Sequence, residues 1–228
     1  MWIKSLAEIF TPELLILLRD GILQTLYMTL VSTLVAYILG LPLGIILYIT
    51  DKGGICKNKA VNGILGFVIN FFRSVPFIVL LVAILPFTRA IVGTTIGSTA
   101  TIVPLIVAAV PFVARMVESS LKEVDTGVIE AAESMGSNAL QIIWKVLLPE
   151  AKPSLIVGSA IAITTILGYS AMAGFVGGGG LGSIAINYGY YRYQEDVMLV
   201  TVLLLVVIVQ LFQEIGMRIA KFTDKRIK

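Results

Sequence analysis

The side chains that could carry out covalent chemistry are few. Among 228 residues there is no histidine and one cysteine, Cys56. Without histidine there is no Ser-His-Asp triad, no Cys-His pair and no histidine-held metal. One cysteine closes no internal disulfide and completes no metal-ligand spacing, so Cys56 reads as an incidental free thiol. Gly168-Tyr169-Ser170-Ala171-Met172 opens like a hydrolase elbow, but the second glycine is missing and no base exists. Gly177–Gly182 (GGGGLG) is the nearest lookalike to a phosphate loop. It lacks the lysine, and no glycine in the chain is followed directly by lysine. Close helix packing or a flexible turn accounts for those glycines better. Neither catalysis nor a bound cofactor or metal is expected.

The composition says where such a chain works. AVILMFWYC make up 57% of it and charged residues only 14%, against roughly 25% charged in a soluble domain. The fold class is therefore all-α integral membrane. Charge-free runs mark the spans: Gly21–Thr50 (30 residues), Ala90–Ala114 (25), Pro153–Tyr191 (39) and Val197–Gln213 (17, with apolar continuation). About 20 mainly apolar residues cross a bilayer, so each holds one span. Ala60–Phe72 and Ser74–Thr88 are divided only by Arg73, and joined they make a fifth. Five spans place 12 of the 17 Lys/Arg on one side, in the Asp51–Lys59 loop, the Arg115–Lys152 segment and the C-terminal tail. By the positive-inside rule that side is cytoplasmic and the N-terminus lies outside. The formal charge of +3 follows from this bias and calls for no nucleic acid.

The expected organisation is an extracytoplasmic lead-in at 1–20, a transmembrane domain at 21–218 and a basic cytoplasmic tail at 219–228. Within the domain the spans fall at about 21–50, 60–88, 92–116, 154–176 and 196–219, with a polar loop at 123–152. The lead-in carries Glu8, Glu13, Arg19 and Asp20 and no small-residue cleavage site, so it is not read as a signal peptide. Gly40 and Gly44 around Pro42 make a small-xxx-small face for close helix approach.

The polar loop has its own local grammar. Asp125 or Thr126 can cap a short helix running to about Met135, and Gly136 supplies the left-handed residue that ends it. Ser137 can cap a second helix running to Leu148, which Pro149 ends, and Pro153 suits the first turn of the next span. The first helix is short and two-faced, fit for docking into a groove on a partner or for lying on lipid headgroups.

Glu130-Ala131-Ala132, Gly136, Val146, Leu148 and Pro149 reproduce the spacing EAA-x3-G-x9-[IV]-x-LP. This resembles the cytoplasmic loop of the membrane subunits of bacterial ABC importers, with Val146 where isoleucine is usual. Phe72-Arg73-Ser74-Val75-Pro76-Phe77, Leu85-Pro86-Phe87-Thr88-Arg89, Val113-Ala114-Arg115-Met116-Val117-Glu118 and Gly168–Met172 extend the resemblance over about Gly21 to Arg218. They bring it nearest to methionine importer permeases, whose compact five-span form also fits.

The resemblance implies a type I importer permease fold and a bacterial plasma-membrane subunit that is not itself an enzyme. It also implies a second permease copy, a separate ATP-binding cassette ATPase dimer and an extracytoplasmic binding (lipo)protein delivering L- or D-methionine. Glu130, Ala131, Ala132, Gly136, Leu148 and Pro149 would then form the coupling to the ATPase.

Physical chemistry nominates a second set, Arg73, Ser74, Pro76, Tyr169, Ser170 and Met172, for the translocation path or its gate. A charge in an apolar run costs at least ~2.5 kcal/mol on insertion scales, so Arg73 must face protein or a watery path. It either meets the substrate carboxylate or satisfies carbonyls freed where Pro76 breaks the helix. Met172 would be a soft, flexible plug or plain packing. Other readings of the whole chain are an importer permease for a different amino acid, an ion-coupled secondary transporter and a membrane scaffold. Against the secondary transporter, intramembrane acids are absent apart from Glu214 near the end of the last span.

Overall fold

A computed structural model describes residues 11–224, and the regular structure within them is helical. The lead-in at 1–10 and the tail at 225–228 lie outside the described residues. In chain order the helices are α1 (Pro12–Thr50), α2 (Lys59–Ser74), α3 (Phe77–Ala83), α4 (Leu85–Val92), α5 (Ser98–Lys122), α6 (Thr126–Ser134), α7 (Ala139–Ile142), α8 (Leu148–Met172), α9 (Gly180–Ile184) and α10 (Glu195–Thr223). Four segments are long and apolar enough to cross a membrane, and the bent pair α2–α3 is a fifth if counted as one span.

Several boundaries differ from expectation. Lead-in and first span are one helix: Pro12 opens α1, as a residue with no N–H to lose does best at that position, and nothing breaks it at Asp20-Gly21. A single glycine costs about 1 kcal/mol in a helix interior, too little to end it, and Gly21 lets Ile184 and Leu181 pack close. The expected span 60–88 is three helices, with α2 and α3 bent by 99°. Pro76 forces this. It pushes Val75 into extended backbone (φ −82°, ψ 123°) and removes a donor. The third span starts at Ser98, because left-handed Gly93 and Gly97 (φ +83° and +97°) close α4 and turn the chain. It runs on to Lys122, past the expected end at 116, so Glu118 lies on the same helix as Arg115.

Pro149 and Pro153 do not end or open a helix. A wide turn at Ile143–Leu147 joins α7 to α8, and the Leu148 N–H bonds the Ile143 carbonyl five residues back. That register shift relaxes the helix just before Pro149, and α8 carries Pro153 in its interior. The N-cap of α7 is Asn138 and not Ser137: Asn138 and Gln141 each bond the other's backbone N–H in a capping box.

The described residues divide into two compact units. One comprises residues through Leu34 with Pro76–Val107 and Ile163–Phe212, around a core of Leu18, Leu167, Leu181, Ile184, Val197 and Ile208. The other comprises Val35–Val75, Ala108–Ala162 and the chain from Gln213 on, with Leu47, Ile69 and Ala114 at its centre. In the second unit Gly40 and Gly44 meet Val113, Val117 and the Ala114 carbonyl of α5, so the small-residue face of α1 has its partner there.

Candidate functional site

The second unit holds the polar segment. Asp125 caps α6, its carboxylate accepting from the Gly127 N–H at 2.6 Å. Gly136, at φ +78°, ends the helix. The Ser137 N–H reaches back to the Ala132 carbonyl at 3.1 Å and the Gly136 N–H to that of Glu133 at 2.9 Å. This paired closure satisfies carbonyls the helix would otherwise leave open.

Of the six expected coupling residues, Ala132 is buried and Leu148 half-buried, whereas Glu130, Ala131, Gly136 and Pro149 are exposed. Beside them Val128, Met135, Leu140 and Trp144 expose apolar side chains, Met135 by 79% and Trp144 by 66%. The segment thus buries Ala132 with Ile142, Ile143 and Leu147, and its outer face sets exposed apolar side chains among Glu130, Glu133 and Lys145.

An ion network in the same unit escaped the sequence reading. The Glu118 carboxylate is buried and takes Arg115 Nη1 at 2.6 Å and Lys122 Nζ at 2.8 Å. Arg115 Nη2 also donates to Asn70 Oδ1 at 2.9 Å and to the Gly66 carbonyl at 3.3 Å. Lys122 lies 3.1 Å from Asp51 in the α1–α2 loop. The Lys52 backbone N–H, and next the Lys122 ammonium, hold the Asp51 carboxyl below its ordinary range. The i,i+3 and i,i+4 spacing of Arg115, Glu118 and Lys122 is the available signal, but it carries meaning only on a helix, and the expected span ends at 116.

Arg73 and Ser74 end α2 in this unit, both exposed. Ser74 Oγ donates to the Asn70 carbonyl at 2.8 Å. The Val75 N–H, and not Arg73, reaches the Phe72 carbonyl freed by Pro76, at 3.4 Å.

In the first unit Tyr169, Ser170 and Met172 close α8. Tyr169 stacks on Phe77, the residue after Pro76. Ser170 is buried and turned onto its own helix, donating to the Leu167 carbonyl at 2.7 Å, and Met172 is exposed. The glycine run beyond is a packed turn. Gly177, Gly179 and Gly180 take left-handed backbone, and a Cβ on Gly174 would strike the Gly182 backbone. Gln24 Oε1 and Thr25 Oγ1 accept from the Gly180 and Leu181 N–H groups at 2.8 and 2.9 Å. Those donors are spent on protein, which suits packing and not phosphate. Among the described residues no three His, Cys, Asp or Glu converge as a metal site would need.

Residues 40–228 match the family of binding-protein-dependent transport system inner membrane components. The chain is 54% identical over 210 residues to the probable D-methionine transport system permease protein MetI of Vibrio cholerae, covering 92% of this chain and 93% of that one. It is 50% identical over 163 residues to the D-methionine transport system permease MetI of Escherichia coli K12, covering 72% and 75%. It is 45% identical over 181 residues to the methionine import system permease MetP of Bacillus subtilis, covering 79% and 82%. A solved inward-facing structure of the MetNI methionine ABC transporter superposes with a TM-score of 0.93 at 48% identity, over 95% of this chain and all of that one. An amino acid ABC transporter shares the fold alone, at a TM-score of 0.79 and 18% identity. Helical spans, the Glu130–Pro149 segment and these likenesses converge: the chain belongs to the family of binding-protein-dependent transport system inner membrane components.

Proposed function

We propose that this chain is the permease subunit of an ATP-driven importer of L- or D-methionine, acting with a second copy of itself, a separate ATPase dimer and an extracytoplasmic binding protein. The observation that carries it is the Glu130–Pro149 segment: a helix too short to span, sharply closed at Gly136, with apolar side chains left uncovered. Such a face gains by seating in a groove of a partner. The methionine assignment draws on the printed names of the relatives and of the MetNI structure. The positive bias of the intervening loops supports a cytoplasmic side for this segment and the C-terminus and an outer side for the N-terminus.

In the cycle, ATP-driven closure of the partner brings two coupling segments together and rocks the spans from inward- to outward-facing. Hydrolysis resets them. The segment must make different contacts in the two states for ATP to bias them. Pro76 breaks the span beside Arg73 and Ser74, and there the chain bends. Arg73 acts as a structural or gating cation at that break, with Tyr169, Ser170 and Met172 at the end of α8 shaping the path.

The test is reconstitution in proteoliposomes with a methionine-type ATPase and binding protein. ATP-dependent uptake of labelled methionine, outcompeted by unlabelled methionine and not by other amino acids, is the expected result. Uptake driven by an ion gradient without ATP would overturn the proposal. Selective uptake of another amino acid would replace the substrate and keep the class.

A further inference from the structure

The ion network on α5, buried at Glu118, joins two places that the importer reading needs to move together. Lys122 is the last residue of α5, and Asp125, three residues on, caps α6. At the other end Arg115 grips Asn70 and Gly66 on α2. Ser74 Oγ bonds the Asn70 carbonyl one turn later, and the chain breaks at Pro76. Between these ends the charges alternate, Asp51–Lys122–Glu118–Arg115, at 3.1, 2.8 and 2.6 Å. The residues of the network, from Asp51 to Asn70 and Ser74, all lie within the second unit, and Pro76 opens the first.

Stability alone explains this arrangement poorly. Taking a carboxylate out of water offsets most of what its ion pairs return, so buried pairs are weak stabilisers compared with apolar packing. Arg115 Nε is moreover buried with no acceptor, a further cost carried in this state. What a fork-shaped guanidinium between a carboxylate and another helix supplies is a fixed geometry.

We infer that Arg115 and Glu118 are positioning residues that transmit displacement of α6 to the end of α2, at Arg73 and Ser74, during transport. The chain acts as a tie. Lys122, three residues before the α6 cap, is anchored to Glu118, and Arg115 carries the same motion to Asn70. This rests on the importer reading above.

The experiment measures methionine uptake per ATP hydrolysed, in proteoliposomes holding the permease with its ATPase and binding protein. Asn70→Ala removes the shorter of the two bonds from Arg115 to α2 and leaves the Arg115–Glu118–Lys122 pairs intact, so it should assemble. Its uptake per ATP should fall by about threefold or more while hydrolysis continues, and Asn70→Asp, which still accepts from Arg115, should restore it. Arg115→Gln should behave as Asn70→Ala does, and combining the two should add little, because both cut one link. An unchanged ratio in Asn70→Ala and Arg115→Gln would overturn the inference. So would lower assembly or melting temperature with the ratio preserved, which would mark a merely structural network. Failure of the unsubstituted protein to take up methionine with ATP would instead overturn the importer reading on which the tie depends.

Discussion

The Phe77 and Tyr169 rings lie face to face, centroids 4.5 Å apart and planes 6° from parallel. Phe77 is the first residue of α3 after the Pro76 break, and Tyr169 lies in the last turn of α8. The stack therefore pins the restart of the broken span to a neighbouring helix. Such pairs contribute about 0.5–1.5 kcal/mol beyond the area they bury. Tyr169→Phe keeps both faces and should retain melting temperature and methionine uptake. Tyr169→Ala should lower both, read by thermal melts of the purified protein and by uptake assays. Equal uptake in both variants would remove Tyr169 from the path or its gate.

Gly136 has open space around the position a Cβ would take, so its substitution tests backbone conformation alone. At φ +78° an alanine costs about 1–2 kcal/mol, and asparagine, the next best tolerated residue there, should cost less. Gly136→Pro and Ala131→Asp should abolish uptake and stimulation of the ATPase while membrane insertion, followed by protease protection, stays intact. Normal uptake in Ala131→Asp would argue against docking through this face.

Two helical glycines should respond in opposite directions. A Cβ on Gly44 would collide with the Ala114 carbonyl and Val117, and backbone cannot step aside, so Gly44→Ala should destabilise by about 1–3 kcal/mol. Gly63 in α2 has nothing near its missing Cβ, and Gly63→Ala should stabilise by about 0.5–1 kcal/mol. Denaturant titration of the two variants in detergent checks the pair.

Asp51 predicts a pH dependence. Its carboxyl is held below the ordinary 3.8 by the Lys52 N–H and by Lys122. A carboxyl with a depressed folded-state value adds stability that is present above its unfolded value and is lost as pH falls through the folded one. The loss should therefore come below about pH 4. It should be small, because the pair is partly exposed and screened by solvent. Melting temperature followed from pH 6 to pH 3 should drop less in Asp51→Asn than in the unsubstituted protein. Parallel curves would exclude a contribution from Asp51.

Membrane class, the order of the spans and the short capped helix before Gly136 were all legible in the sequence. Each rests on a local property: the length of a charge-free run, the chemistry of an Asp cap, the need for glycine at a positive φ. The Gly40/Gly44 face could likewise be read, though not that α5 would fill it. What the tertiary structure alone decided depends on neighbours distant in sequence or on the register between turns. A wide turn at Ile143–Leu147 carries the helix through Pro149, a proline that reads as a stop when its own turn is considered alone. Pro76 announces a break, but the 99° bend is a property of the folded chain. Glu118 lies beyond the expected span, and only because α5 runs on to Lys122 do Arg115 and Lys122 sit one turn to either side of it. Local pattern records what one segment can do by itself. Which charge is buried, and what answers it from Asn70 or Asp51, is settled only when separate segments pack and shut water out.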